Sequence, residues 1–385
     1  MTKKQAVPAR PLASPDTVPL HTVSVTDDVT GVITFYIVAE PFTTHCRFPI
    51  GRGTRCFWAY DCQRHKIVLL KDTWRVEGYE KEGDIYRLLH EKGVHNIARF
   101  LTAGDVPDDF QRCGRTFEHS ALDKIKCRIH YHYRLVLDTL GKPLAQFACT
   151  WEITNAVYCG VIAHQDPVVK AGVLHRDVSV GNILIVRENG TLDGILIDWE
   201  LSERIDRRPT EARSYERIGT WPSISIRILT VLGWIAARYV PKVHTRSAFL
   251  RAFDSRIGGT GGDDKQRYLM SGTQTIVDIK LHQTASHNIL RKLWVAFGFR
   301  YGSELCYQMV ETESVEKVAA ELRKLESHEW TVGVLEDALK IEEWKSVTND
   351  GAMKHSIVEM EQSLTGAQKR KSDGRVLCKA KESTY

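Results

Sequence analysis

Short apolar runs separated by turn residues dominate the first third of the chain. Residues 31–40 (GVITFYIVAE), 56–60 (CFWAY) and 66–70 (KIVLL) are β-branched or aromatic and predict antiparallel strands. The period then changes from two to 3.6. In residues 77–93 (EGYEKEGDIYRLLHEKG), Ile85, Leu88 and Leu89 fall on one stripe and predict a helix that ends near Gly93. Residues 107–128 are polar and irregular, the pattern of a surface insertion between strands. Residues 134–144 (RLVLDTLGKPL) read as a buried strand running into a Gly-Pro breaker, which predicts a lobe boundary near residue 140.

Beyond that point helical spacing prevails, with one exception. Ile183 to Val186 and Ile195 to Ile197 are two short buried runs around an Asn189-Gly190 turn signal, and they predict an antiparallel hairpin. Such a hairpin returns its second strand to the level where the first began, so Asn182 is expected beside Asp198. Residues 228–240 (ILTVLGWIAARYV) predict a buried core helix, too short to span a bilayer. Residues 314–330 place Val315, Val318, Ala319, Leu322 and Leu325 on one helical face. Residues 1–28 lack periodicity and read as a flexible arm, and residues 346–385 as a basic, disordered tail. The expected organisation is therefore a small strand-rich lobe over 29–140 and a larger, mainly helical lobe over 141–345.

Composition narrows the class without naming it. A chain of 385 residues exceeds what one core supports, so two lobes are expected. The net charge of +5 is small for this length and gives no argument for nucleic acid. Nine cysteines, odd in number and without a C-x-x-C pair, fit reduced thiols in the cytoplasm or nucleus. The N-terminus has no apolar signal core, and no membrane partner is expected.

Chemistry concentrates in residues 175–200, HRDVSVGNILIVRENGTLDGILIDWE. Asp177 and Asn182 are separated by four residues, the spacing of a kinase catalytic loop, and Asp198-Trp199-Glu200 stands where D-F-G would stand. Phosphoryl transfer from ATP needs metal ligands, a cation on the phosphates and a carboxylate that orients the attacking hydroxyl. Upstream, a glycine turn (IGRGT) precedes a buried strand ending in Lys71, the order a nucleotide phosphate site requires. His175 is expected to pack and to hydrogen-bond backbone. The histidine pairs at 130 and 132 and at 90 and 95 lack partners at zinc-site spacing.

These motifs together resemble the protein kinase fold, and in particular the fungal-type protein kinase family: PIGRGTR, VLLKDTWR, EGDIYRLL, GVLHRDVSVGNILI, GILIDWELS and RIGTW follow in that order over residues 49–221. The resemblance implies an α+β, bilobal fold with an antiparallel N-lobe sheet and one helix over a helical C-lobe. It makes Asp177 the residue that orients the substrate hydroxyl, and Asn182 and Asp198 the Mg²⁺ ligands. Lys71 would neutralise the ATP phosphates, held by Glu82, which is preferred to Glu80 because it shares the stripe of Ile85. Gly51 and Gly53 would admit the phosphates, and Leu137, Asp138 and Leu140 would form the adenine hinge. Arg176 would pair with a phosphorylated residue in the following segment, where Ser202, Thr210, Ser214, Tyr215 and Thr220 stand.

The chain also departs from the pattern. Cys56 replaces the third glycine of the loop, Glu200 replaces the glycine of D-F-G, and Ser179 stands where a Lys is usual. Arg227 stands where a Glu is expected, and the helix beyond it lacks an acidic run. Three readings remain open: a protein Ser/Thr kinase using ATP and Mg²⁺, weakened by the shortened segment; a nucleotide-binding module of the pseudokinase kind; and a small-molecule phosphotransferase.

Overall fold

The structure is a computed structural model that describes residues 18–43, 53–107, 129–179, 181–188, 190–205 and 315–346, with residues 285, 288, 289, 291–293 and 296. The elements over the first half are β1 (His21–Thr26), β2 (Ile33–Val38), β3 (Arg55–Asp61), β4 (Lys66–Val76), α1 (Glu82–Glu91), β5 (Phe100–Asp105) and β6 (His130–Leu137). Then come β7 (Lys142–Pro143), α2 (Thr150–Ala171), β8 (Val173–Leu174), β9 (Ile183–Glu188), β10 (Thr191–Leu196) and β11 (Glu203–Arg204). Three further helices are α3 (Val315–Arg323), α4 (Glu329–Leu339) and α5 (Glu342–Lys345). The chain divides into two compact units, one of Met1–Lys142, Ile162–Asp177 and Leu184–Ile218, the other of Pro143–Val161, Val178–Ile183 and Gly219–Tyr385.

In the first unit, six antiparallel strands are ordered β1-β2-β3-β4-β6-β5. Alternation decides which face is covered: Val25, Tyr36, Val38, Ala59, Val68, Leu70 and Val136 form one buried cluster. Each such side chain contributes about 1.5–3 kcal/mol on full burial when it is as large as Val or Leu. The sheet curls until its edges meet, where the Asp28 N–H donates to the Ala103 carbonyl at 3.0 Å. Gly104 permits this approach, because a Cβ there would lie 1.9 Å from the Thr26 carbonyl oxygen.

Over His21–Thr26, strand β1 corrects the sequence reading of residues 1–28 as a flexible arm; residues 1–17 lie outside the described residues. His21–Thr26 alternates with Val23 and Val25 inward, pairs along its whole length with β2 and supplies part of the buried cluster. Asp27 fixes the turn that follows. Its carboxylate accepts from the Val29 and Thr30 N–H groups at 3.0 and 2.9 Å, from Arg87 of α1 at 2.8 Å and from the Thr102 hydroxyl at 3.2 Å. Burial alone would raise its pKa, but these donors outweigh it and hold Asp27 down at about 2.

The predicted helix over 77–93 is present as Glu82–Glu91, with Ile85, Tyr86 and Leu89 buried. The predicted pair of strands around residues 189–190 is present as β9 and β10, neighbours in one sheet. In the second unit, the buried Trp344 donates its indole N–H to the Thr150 hydroxyl at 2.9 Å. The single helix predicted over 314–330 is instead α3 and the start of α4. The break spans residues 324–328, where the Ser327 hydroxyl accepts from the Glu329 N–H at 3.3 Å just ahead of α4. The insertion at 108–128, the apolar segment at 228–240 and the tail from 347 lie outside the described residues. Among the described residues, no helix is long and apolar enough to cross a membrane.

Candidate active site

Lys71 lies within β4, opposite Cys56 of β3 on one side and Leu135 of β6 on the other, so its backbone is fixed by two neighbouring strands. Its ammonium is buried and meets three carboxylates: Glu82 at 2.8 Å, Asp198 at 2.6 Å and Glu200 at 3.2 Å. Burial works to neutralise a lysine, but the three carboxylates outweigh it and keep Lys71 charged, with its pKa raised well above the ordinary value. Burial is also the largest influence on Glu82. Joined by repulsion from Asp198 and Glu200, it pushes the Glu82 carboxyl up to about 7 against the pull of Lys71.

Glu82 reaches this position because the first turn of α1 comes close to the sheet. Gly83 makes that possible: a Cβ there would lie 2.7 Å from both the Ala103 Cβ and the Tyr133 hydroxyl, and the Gly83 N–H donates to that hydroxyl at 2.9 Å. The second Glu82 oxygen accepts from the Trp199 N–H at 3.1 Å. Glu80, the alternative weighed from sequence, instead faces Arg204 at 3.5 Å.

Asp198 is held by its backbone neighbours. The Leu196 N–H donates to the Asn96 carbonyl at 2.9 Å, and the Ile197 carbonyl accepts from His175 Nε2 at 3.0 Å. His175 Nδ1 accepts from the Asp177 N–H at 3.2 Å, so one neutral imidazole joins the two segments that carry Asp177 and Asp198. The expectation that His175 packs and bonds backbone is met, with its ring edge-on to Trp199 at 4.5 Å. Asp198 itself is left-handed (φ 67°), as is Arg176 (φ 69°). A non-glycine residue in that region is uncommon and strained, and such strain gathers at functional sites.

Arg176 is buried and meets Glu203 of β11 at 3.1 Å. A carboxylate thus stands where the sequence suggested a phosphorylated residue. Of the candidates named for that role, Ser202 is buried and donates its hydroxyl to the Trp199 carbonyl at 2.6 Å, while Thr210, Ser214, Tyr215 and Thr220 lie outside the described residues. Gly53 has φ 54°, and Gly51 lies outside the described residues. The Asn182 N–H donates to the Ser179 carbonyl at 3.1 Å, closing the loop that follows Asp177.

At the expected hinge, the Asp138 backbone pairs with Arg99. Its N–H donates to the Arg99 carbonyl at 2.8 Å and its carbonyl accepts from the Arg99 guanidinium at 3.1 Å. The Asp138 carboxylate meets Lys66. Leu137 is buried at the end of β6 and Leu140 is half-buried.

Glu82, Asp198 and Glu200 form a carboxylate cluster around one cation. Within it Asp198 keeps the most open side chain, 41 % exposed against 2 % for Glu82 and 12 % for Glu200. It is therefore the member with a face toward an incoming ion, and its hard oxygen ligand suits Mg²⁺. The reach of Glu200, the role of Gly83 and the Arg176–Glu203 pair did not emerge from the sequence. A glutamate in a position that usually holds glycine was the signal available for the first.

A search of curated proteins finds no match to this chain. A family model described as fungal protein kinase matches residues 16–245, which include β1, Lys71, Glu82, Asp177, Asn182 and Asp198. That span covers more than half of the chain, and a kinase-like phosphotransferase function at this coarse level goes with it. The chain belongs to the fungal protein kinase family.

Proposed function

We propose that the chain binds ATP with Mg²⁺ and transfers the γ-phosphate to Ser or Thr hydroxyls of a protein substrate, at a reduced rate. The observation that carries this reading is the convergence of Lys71, Glu82 and Asp198, from β4, α1 and the segment after β10, with Nζ 2.8 and 2.6 Å from the two carboxylates. Lys71 neutralises phosphate charge, Glu82 holds Lys71, and Asp198 would hold the metal. Bound Mg²⁺ would supply charge neutralisation across the phosphates. Asp177, its N–H anchored on His175, orients the substrate hydroxyl. A nucleotide-binding module without transfer is the second reading, favoured by Arg227 where a bracing Glu is expected. Incubating the full chain with γ-labelled ATP, Mg²⁺ and a generic protein substrate tests the proposal. Slow transfer abolished by Asp177→Asn supports the kinase reading, and binding of ATP without transfer supports the module.

A further inference from the structure

Three carboxylates meet the Lys71 ammonium, one more than the proposed nucleotide site uses. An ammonium has three N–H bonds, and Glu82, Asp198 and Glu200 all lie within hydrogen-bond reach of Nζ. Glu82 is the buried partner that positions the lysine, and Asp198 has an open face for a cation. Glu200 has neither task. Its side chain is enclosed, 12 % exposed, on the single helical turn Trp199–Leu201, next to the fully buried Trp199. A glycine at this position would offer Nζ no third carboxylate.

Resting on the ATP-binding reading above, we propose that Glu200 is an affinity-setting residue that competes with nucleotide phosphate for Lys71. A phosphate oxygen accepting from Nζ must approach to about 3 Å, the distance at which Glu200 already stands. Two anionic acceptors on one donor repel each other. The site therefore takes a triphosphate only by displacing Glu200 or by tolerating that repulsion, and Glu200 lowers ATP affinity while Lys71 remains correctly placed.

The test is ATP titration of the full-length protein in Mg²⁺ buffer, read by calorimetry, for wild type, Glu200→Gln, Glu200→Gly, Lys71→Ala and the Lys71→Ala/Glu200→Gln double variant. Each single Glu200 variant is expected to bind ATP about tenfold more tightly, equivalent to about 1.4 kcal/mol. In the Lys71→Ala background the gain should fall below about twofold, because the two residues act through one contact. Equal or weaker binding by both Glu200 variants overturns the proposal. So does a tenfold gain that persists without Lys71, since general charge removal would then account for it. Binding by wild type with no gain in the variants sinks this inference alone. Absence of ATP binding in wild type and both variants sinks the nucleotide reading together with it.

Discussion

Around Lys71 three carboxylates face one ammonium, an excess of negative charge brought together by β4, α1 and the segment after β10. Breaking a buried ion pair by removing one partner leaves the other charge uncompensated. Lys71→Ala should therefore lower phosphoryl transfer by roughly 2–4 kcal/mol of transition-state stabilisation. An unchanged rate in single-turnover assays would remove Lys71 from the phosphate site. The two aspartates divide differently. Asp198 offers an exposed carboxylate beside Lys71, whereas Asp177 is tied through its backbone to His175. Asp198→Asn should weaken Mg²⁺-ATP binding more than Asp177→Asn, and Asp177→Asn should affect transfer more than binding. Equal losses of nucleotide affinity would contradict that division of roles.

Two elements place the site, and each has a residue on which placement depends. Helix α1 rests against β5 and β6 through Gly83, where a methyl group would overlap Ala103 and Tyr133. Gly83→Ala should push the first turn of α1 outward and draw Glu82 from Lys71. Overpacking of this kind costs about 1–3 kcal/mol, so the variant should melt earlier and bind ATP more weakly. Unchanged melting and affinity would show that the helix can give way without consequence. The turn after β1 depends on Asp27, held down at about 2 from an ordinary 3.8. With the folded value lower than the unfolded one, its contribution is present above about pH 4 and lost as pH falls through about 2. It amounts to about 2 kcal/mol. Denaturant titrations of wild type and Asp27→Asn should show a stability gap that narrows from pH 5 toward pH 2; a gap independent of pH would contradict the assignment. Strand β1 itself was illegible as structure because a Thr- and Pro-rich flank masks a two-valine alternation. Its burial comes from pairing with β2 and from contact with the far edge of the sheet.

For the molecule as a whole, chain order was legible and side-chain reach was not. Lys71 after a glycine turn, Glu82 on a helical stripe and Asp177, Asn182 and Asp198 at fixed spacings are properties of local sequence. Periodicity and turn chemistry report these directly. Glu200 on Lys71, Glu203 on Arg176 and Arg99 on the Asp138 backbone are contacts between residues as much as 129 positions apart, and only the folded chain brings them together. The break over residues 324–328 eluded the apolar stripe because that stripe runs on to Leu325, while α3 ends at Arg323 and the backbone restarts at Glu329. The proposed function requires that Lys71, Glu82 and Asp198 form a nucleotide phosphate site. Thermal melting of the full chain with ATP, with Mg²⁺ and with both tests it most directly, because a ligand that binds only the folded state raises the melting temperature by an amount that grows with the logarithm of its concentration relative to Kd. The expected result is a rise with ATP and Mg²⁺ together that disappears in Asp198→Asn and shrinks in Lys71→Ala. A melting temperature indifferent to Mg²⁺-ATP at millimolar concentration, or a rise undiminished in both variants, would contradict the account.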